Sequence, residues 1–344
     1  MKKVLSLSLS MILAASVALA GCGNDNDSSS QGSGEGGGST AESTAKIGMV
    51  TDVGGVNDKS FNQSAWEALE AVEAETGAQV KYLQSKSDAD YNTNLNTFVK
   101  DQYSLTWGIG FQLAEAIKTV AEQNPEAKLA IIDSEVDAPN VKSVMFAEDQ
   151  GSFLVGVIAG KMTKTNKVGF VGGMESPLIK KFEIGFREGV KAVNPDAQFV
   201  PNYTGAFDKP DLGKTAAATM YNEGVDIIFH ASGATGTGVF NEAKSRKDSG
   251  QDVWVIGVDK DQSLEFGDEI TLTSMIKKVD EAVKKVSLDV VNGTFEPGLE
   301  VLDLAANGVG VAETSTANVP ADVLELVDEY KEKIISGEIT IPAE

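Results

Sequence analysis

From Lys46 onward, short apolar runs alternate with longer segments of helical periodicity. Runs rich in Val, Ile and Phe predict strands, and apolar residues that recur every three or four positions predict helices. The predicted strands cover residues 46–50, 78–84, 129–133, 141–146, 167–173, 198–205, 225–232, 253–259 and 270–276. The predicted helices cover residues 62–76, 91–99, 111–124, 151–164, 180–194, 209–223, 237–247, 279–292 and 321–336.

The order of these elements predicts an α/β fold of two doubly wound parallel-sheet lobes. Strand followed by helix, many times over, is typical of parallel strands joined by crossover helices. Runs such as IIF and VWVIGV are apolar without alternation, as expected when both faces of a sheet are covered. The series runs twice, so we predict lobe 1 from residues 46–148 and about 275–305, and lobe 2 from residues 149–274 and about 306–344. A return strand and turn are predicted within Gly298–Val311.

The first 22 residues predict a secretion signal. Two lysines precede an apolar run from Val4 to Ala20, and the sequence LAGC ends at Cys22. LAGC resembles the bacterial lipobox, which implies cleavage before Cys22, lipid on that cysteine and an anchor on the extracytoplasmic face of the cell membrane. The alternatives are a buried structural thiol and an uncleaved membrane helix, for which the run is short of the ~20 residues that a span needs. Residues 23–45 are poor in apolar side chains and predict a flexible linker.

Charge and composition narrow the classes of partner. The chain has 51 acidic and 29 basic residues, a formal net charge of −22. Binding to nucleic acid begins with Lys and Arg neutralising phosphates, so this balance argues against nucleic acid and favours neutral or cationic small ligands. The sequence shows no metal-ligand cluster and has a single cysteine, so we predict neither a metal nor a cofactor.

A polar segment, DVGGVNDKSFNQSAW, follows the first predicted strand. Its candidate ligand-binding residues are Asp52, Asp58, Phe61 and Asn62. A phosphate loop of the form G-x-x-x-x-G-K-S would need glycines where this chain has Val53 and Asp58, whereas aspartates are suited to accept hydrogen bonds from hydroxyl and ring N–H groups. The alternative is structural: Asp58 or Ser60 caps the following helix, and Phe61 packs on it as a staple.

Other strand ends carry similar side chains, and in doubly wound sheets ligands bind beyond the carboxyl ends of strands. These further candidates are Asp133, Phe207, Phe229, Asp259 and Lys277. Acids would accept hydrogen bonds from hydroxyls, and aromatic rings would stack on a planar ligand. The alternatives are that Phe229 is ordinary core, that Asp133 caps the next segment and that Lys277 forms only a salt bridge across a hinge. The turn ASGATGTG, which contains Gly233, is a weak signal by itself.

Several long blocks closely resemble the basic membrane protein family, the PnrA-like lipoproteins that serve as nucleoside receptors of ABC transporters. They include DVGGVNDKSFNQSAWEAL, SVMFAEDQGSFLVGVIAGKMT, GFVGGMESPLIKKFEIGFREGVKAVNP, IIFHASGATGTGVF and LTSMIKKVDEAV, and the similarity runs in order from residue 46 to the C-terminus. The resemblance implies a type I periplasmic-binding-protein fold, two lobes joined by a hinge, a purine nucleoside ligand and a permease as partner. It implies no catalytic residue.

The resemblance also implies roles for the candidates. The base would lie between Phe61 and a second phenylalanine, for which we favour Phe229 over Phe207. Asp52, Asp58 and Asp133 would bind the polar edge of the base, Asp259 and Lys277 would hold the ribose hydroxyls, and Asn62 and Gly233 fall in the same blocks. The family commonly has A-A-G-G-T-G where this chain has ASGATG, so the methyl group of Ala234 would crowd an approaching ribose.

We expect capture by hinge closure, with crossings near Ala147–Gln150, Thr273–Lys277 and Asn307–Gly310. One alternative is a binding protein for another small polar ligand, a sugar or a signal molecule, and another is a sensor receptor. An enzyme such as a nucleoside hydrolase is a third, but His230 is the only histidine and lies inside a predicted strand, where core histidines are common.

Overall fold

The computed structural model describes residues 45–343, so the predicted signal sequence, Cys22 and the linker up to Thr44 lie outside the described residues. The strands of this part are β1 Lys46–Thr51, β2 Gln79–Gln84, β3 Leu105–Ile109, β4 Leu129–Ile132, β5 Val141–Phe146, β6 Lys167–Gly172, β7 Gln198–Tyr203, β8 Ile227–Ala231, β9 Trp254–Asp259, β10 Thr271–Lys277, β11 Gly298–Leu302 and β12 Val309–Val311. The α-helices are α1 Phe61–Thr76, α2 Tyr91–Lys100, α3 Ala114–Gln123, α4 Glu148–Met162, α5 Pro177–Val193, α6 Pro210–Asn222, α7 Gly236–Asp248, α8 Ser263–Phe266, α9 Val279–Val291 and α10 Ala321–Ile335. None of these helices combines the length and apolar character needed to cross a membrane.

The strands of residues 45–343 form two six-stranded sheets with the same internal order. The first sheet runs β11-β5-β4-β3-β1-β2, and the second runs β12-β10-β9-β8-β6-β7. Neighbouring strands are parallel, except that β12 pairs antiparallel with β10 at the edge of the second sheet. Because the strand order reverses beside β1 and β6, each sheet opens a crevice at the carboxyl ends of its central strands. Two parallel-sheet α/β lobes are therefore confirmed.

The main departure from the predicted elements is β3, which the sequence analysis missed. Its sequence LTWGI includes Thr106 and Gly108, which break the apolar run, yet all five residues are buried between β1 and β4. Helix α5 also begins three residues earlier than predicted, at Pro177. The Ser176 hydroxyl accepts a hydrogen bond from the Ile179 N–H, and proline is favoured in the first turn, so this start is set by local chemistry.

Helix α4 is buried along most of its length and packs tightly against α5. A Cβ added to Gly189 would lie 2.0 Å from the Phe153 carbonyl oxygen, so only glycine allows this approach. The close packing fixes the N-terminus of α4, where the buried carboxylate of Glu148 lies beside the cleft.

The chain passes between the sheets three times: through α4 after β5, through α9 after β10, and again between β11 and β12. These crossings are joined by backbone hydrogen bonds, from Ala147 N–H to Leu302 O at 3.1 Å and from Lys278 N–H to Gly308 O at 2.9 Å. Strand β10 lies whole in the second sheet, so the expected change of lobe between residues 274 and 275 falls inside it. We propose that the change comes after Lys277.

Candidate ligand-binding cleft

A cavity lies where the carboxyl ends of strands from both sheets meet. Including its open mouth, the empty space there measures about 510 Å³. Nine predicted site residues line it: Asp52, Asp58, Phe61, Asn62, Asp133, Phe207, Gly233, Asp259 and Lys277. The cavity wall also includes residues that were not predicted from the sequence, among them Gly110, Phe111, Phe182 and Ser232. Most of the candidates predicted from their positions at strand ends therefore lie in one cavity.

Asp52 and Asn62 form a buried pair on the wall supplied by the first lobe. The Asn62 amide donates to Asp52 Oδ1 at 2.8 Å, and the Gly54 N–H donates to the same oxygen at 2.8 Å. Asn62 Oδ1 is buried and has no hydrogen-bond partner within residues 45–343. A buried acceptor without a partner is costly, so this oxygen is suited to a ligand N–H or O–H.

Asp58 has the structural role that the sequence analysis held open as an alternative. Its two carboxylate oxygens accept hydrogen bonds from the backbone N–H groups of Ser60, Asn62 and Gln63 and from the Asn62 amide, at 2.8–3.1 Å. These bonds satisfy the first turn of α1, where N–H groups otherwise lack partners. Asp58 borders the cavity, but most of its acceptor capacity is used in holding Asn62 in place.

The ammonium of Lys277 lies in a buried cluster of acids. It is 2.6 Å from Asp133 Oδ1 and 3.2 Å from Glu148 Oε1, and the three side chains are nearly or completely inaccessible to solvent. Lys181 Nζ also lies 3.4 Å from Glu148 Oε2. The predicted alternative of a salt bridge at Lys277 is therefore present, and Glu148 is a member that the sequence analysis missed.

Equivalent strand ends of the two sheets carry Asp133 and Asp259, and both residues adopt a left-handed backbone conformation, with φ of 71° and 68°. Aspartate tolerates this region better than most residues, and such conformations concentrate at functional sites. The Ser60 hydroxyl of the first lobe donates to the Asp259 carboxylate of the second. Asp133 of the first lobe and Asp259 of the second thus line the same cleft.

Aromatic rings line the cleft from both lobes, but Phe229 is not among them. Phe229 is fully buried in β8, and its ring packs 5.1 Å from Phe186 and 5.7 Å from Phe170, measured between ring centres. The preference for Phe229 as the second stacking ring is therefore corrected. Phe207 lines the same cavity as Phe61, in space that Gly173 leaves open: a Cβ on Gly173 would lie 2.2 Å from the Phe207 ring.

Ala234 and His230 also lie away from the cavity. Ala234 borders a separate surface pocket beside Val53 and Lys86, so its methyl group is not part of the main cavity wall. His230 is completely buried, with Nε2 2.9 Å from Gln262 Oε1 and Nδ1 3.3 Å from the Ser232 hydroxyl. It is the core histidine that its position in a strand predicted. Within residues 45–343 no group of three or more His, Cys, Asp or Glu side chains is arranged to hold a metal ion.

Burial controls the ionisation of the cleft. It raises the pKa of Asp52 to about 7 and that of Asp259 to about 7, the latter against the lowering effect of Lys277. Burial also raises the pKa of Asp133 to about 6, although the neighbouring Lys277 ammonium opposes this shift. Burial lowers the pKa of Lys277, but the neighbouring acids outweigh that effect and hold it above its ordinary value. The neighbouring acids thus favour the charged form of Lys277, while burial favours the protonated forms of Asp52 and Asp259.

We expect Asp52→Asn to stabilise the ligand-free protein at pH 8 and to weaken ligand binding. The folded-state pKa of Asp52 is raised to about 7 from 3.8, so its stabilising contribution is present at low pH and is lost as pH rises through about 7. Asparagine keeps an oxygen for the Gly54 and Asn62 donors without the buried charge. The gain in unfolding free energy at pH 8 should be appreciable, with an upper limit of about 4 kcal/mol from the size of the shift.

Urea unfolding at pH 8 and pH 5 measures this effect. The gain should fall to less than half at pH 5, where the folded carboxyl is mostly protonated but the unfolded one, with a pKa of 3.8, is still ionised. Exposed Asp268 changed to Asn serves as the control. An equal gain at both pH values would show that the charge of Asp52 is not its source.

Comparison with known proteins identifies the family. A family model described as ABC transporter substrate-binding protein PnrA-like matches residues 45–344. The chain belongs to this family. Its members are solute-binding proteins of ABC transporters and not enzymes, and they include proteins named basic membrane protein A.

Several known proteins are similar to this chain in sequence or in fold. The chain is 49% identical over 313 residues to the CD4+ T-cell-stimulating antigen of Listeria monocytogenes, covering 86% of this chain and 87% of that protein. It is 41% identical over 314 residues to the ABC transporter nucleoside-binding protein BmpA of Lactococcus lactis subsp. cremoris, covering 87% and 89%. A solute-binding protein of an ABC transporter system from Aeropyrum pernix K1 has a TM-score of 0.80 at 32% identity, covering 87% and 94%. The type I periplasmic-binding-protein fold is thus confirmed.

Proposed function

We propose that this substrate-binding protein captures a purine nucleoside between its lobes and delivers it to the permease of an ABC transporter. The observation that carries the proposal is the composition of the cleft. Four carboxyl groups, those of Asp52, Asp58, Asp133 and Asp259, and one ammonium, that of Lys277, face a cavity with phenylalanine rings on both lobes. Such a wall favours a planar ring with several N–H and O–H donors and disfavours phosphate. The relative from Lactococcus lactis that is named a nucleoside-binding protein supports the same ligand class.

In the proposed mechanism the base stacks between Phe61 and Phe207, and the Asn62–Asp52 pair contacts its polar edge. The ribose hydroxyls lie near Asp259, Gly233 and Lys277. Ligand contacts with both lobes form only when the lobes close, so the ligand shifts the population toward the closed form that the permease receives. Ser232 and Phe182 complete the wall from the second lobe.

Calorimetric titration with inosine, guanosine, adenosine, ribose and inosine monophosphate tests the ligand class. We expect the nucleosides to bind, ribose to bind far more weakly, and the monophosphate to be rejected because of the acidic wall. Chromatography of the mixtures should return each nucleoside intact. Binding of a pentose or hexose without any nucleoside would overturn the proposed ligand, and cleavage of the glycosidic bond would favour the hydrolase alternative.

We further propose that the protein is held on the extracytoplasmic face of the cell membrane by lipid on Cys22. The proposal depends on the LAGC sequence that follows the apolar run. Mass spectrometry of the N-terminal peptide from membranes should find acyl groups on Cys22, and Cys22→Ser should prevent this modification. An unmodified Cys22 in membrane-bound protein would contradict the anchor.

A further inference from the structure

The lobes touch beside the cleft, where the start of α1 faces the segment after β9. Two contacts there are of different kinds. Lys260 Nζ lies 2.8 Å from Glu67 Oε2 on the surface, where ion pairs contribute little. Gln262 is 1% exposed, and its amide nitrogen donates to the Lys59 carbonyl oxygen of the other lobe at 2.9 Å. Gln262 therefore makes a buried hydrogen bond across the cleft, in addition to the one from Ser60 to Asp259.

The remaining polar atoms of Gln262 are fixed within the second lobe. Its Oε1 accepts a hydrogen bond from the Val258 N–H at 2.9 Å, and its own N–H donates to Ser274 Oγ at 3.1 Å. Since the atom that accepts from a backbone N–H is the oxygen, the amide nitrogen must point toward Lys59. The hydrogen bonds therefore determine which atom of the Gln262 amide is the oxygen and which is the nitrogen.

His230 supplies the second support for this orientation. Its Nε2 faces Gln262 Oε1 at 2.9 Å and must donate, because that oxygen has no hydrogen to give. Burial lowers the pKa of His230 to about 4, against a raising effect from Gln262, so the ring is neutral and Nδ1 accepts from the Ser232 hydroxyl. Ser232 lines the cavity. A hydrogen-bonded chain thus runs from the cavity wall to the opposite lobe.

Two glycines leave room for this chain. A Cβ on Gly236 would lie 2.1 Å from His230 Cε1, and a Cβ on Gly257 would lie 2.8 Å from Gln262 Oε1. Both distances are shorter than any real contact of that kind. The backbone is therefore shaped around the histidine and the glutamine.

We propose that Gln262 is a closing residue, a positioning group whose amide, aimed by His230, bonds to the Lys59 carbonyl when the lobes close and thereby slows release of the ligand. The inference rests on the proposed function for the identity of the ligand, but the closure itself can be measured without one. Separation of the lobes breaks this bond and leaves the Val258, Ser274 and His230 contacts intact. The bond is therefore available to the closed form alone.

The variant Gln262→Glu isolates the contact across the cleft. At pH 9, where the rates are compared, the ionised carboxylate keeps an oxygen for Val258 and His230, but its second oxygen cannot donate to Lys59 O and is repelled by it. A protonated carboxyl could still donate to Lys59 O, which is why the pH is set above neutral. We expect the dissociation rate constant of the nucleoside, measured by stopped-flow fluorescence, to rise about tenfold. The association rate constant should stay within about twofold, because encounter takes place in the open form. Exposed Gln198 changed to Glu is the matched control.

The distance between two spin labels, measured by double electron–electron resonance, tests closure of the lobes without ligand. Spin labels at exposed Asn92 and Ser245, one in each lobe, are introduced into a Cys22→Ser chain, which then has no other cysteine. We expect Gln262→Glu to move the distance distribution toward the longer, open form. Failure of the wild-type protein to bind a nucleoside would overturn the proposed ligand and leave this measurement intact.

Several outcomes would overturn the closing role. One is that Gln262→Glu has the same distance distribution and the same dissociation rate as the wild type. Another is that Gln262→Glu associates more slowly with the ligand at unchanged distances, which would mean that Gln262 only shapes its own lobe. If Gln262→Glu does not fold, Gln262→Met removes the donor to Lys59 without adding charge and also removes the acceptor for Val258 and His230. It is judged by the distance distribution and the dissociation rate, with unchanged values for both again contradicting the closing role.

Discussion

Lys277→Met should lower the free energy of unfolding by about 3–5 kcal/mol at pH 8, the usual cost of removing one partner from a buried ion pair. The substitution leaves the Asp133 carboxylate buried without its ammonium neighbour, which lies 2.6 Å away in the wild type. Glu148 retains Lys181 at 3.4 Å, so Asp133 should account for most of the loss. Urea unfolding at pH 8 gives the measurement.

A second substitution identifies the source of that loss. Asp133→Asn in the Lys277→Met background removes the unpaired charge, so more than half of the lost stability should return. Lys244, which is exposed and pairs only loosely with Asp248, provides the control as Lys244→Met and should change little. Wild-type stability of Lys277→Met at pH 8 would contradict an ionised cluster.

The same cluster links stability to function. Asp133 lies at the end of β4, Lys277 at the end of β10 and Glu148 at the start of α4, so the ion pairs join both sheets and a crossing. Lys277 Nζ also lies 5.2 Å from the centre of the Phe61 ring. An ammonium held in this way presents a fixed charge to the cleft, whereas a free lysine would lose entropy on binding a ligand.

The sequence predicts where the site lies better than which way its side chains point. The positions of Asp52, Asp133 and Asp259 follow from the rule that ligands bind at the carboxyl ends of parallel strands. Phe229 shows the limit of that rule. Side chains alternate along a strand, and a residue in the middle of β8 faces the covering helix α5 as readily as the cleft.

Long-range partners were beyond the sequence for a different reason. Glu148 lies in the acidic segment AEDQ, and nothing local distinguishes it from Asp149 beside it. Its role depends on Lys277, more than a hundred residues later. Gln262 is similar, because its contacts with His230 and Lys59 appear only when three separate segments are assembled.

Phe207→Ala should weaken nucleoside binding at least tenfold, about 1.4 kcal/mol, and Phe61→Ala should do the same. Both rings line the cavity, and each loses a stacking surface for the base when it is truncated. Calorimetric titration with inosine measures the loss. Phe229 is the matched control because it is the same residue type, buried next to the site but packed against α5.

Phe229→Ala should show the opposite pattern, a loss of about 3–5 kcal/mol in unfolding free energy from the cavity left in the core. The affinity of its folded fraction, measured at low temperature, should stay near the wild-type value. If Phe229→Ala proves too unstable, Phe229→Leu retains most of the volume and serves instead. A large loss of affinity in the Phe229 variants with none in Phe207→Ala would reverse the assignment.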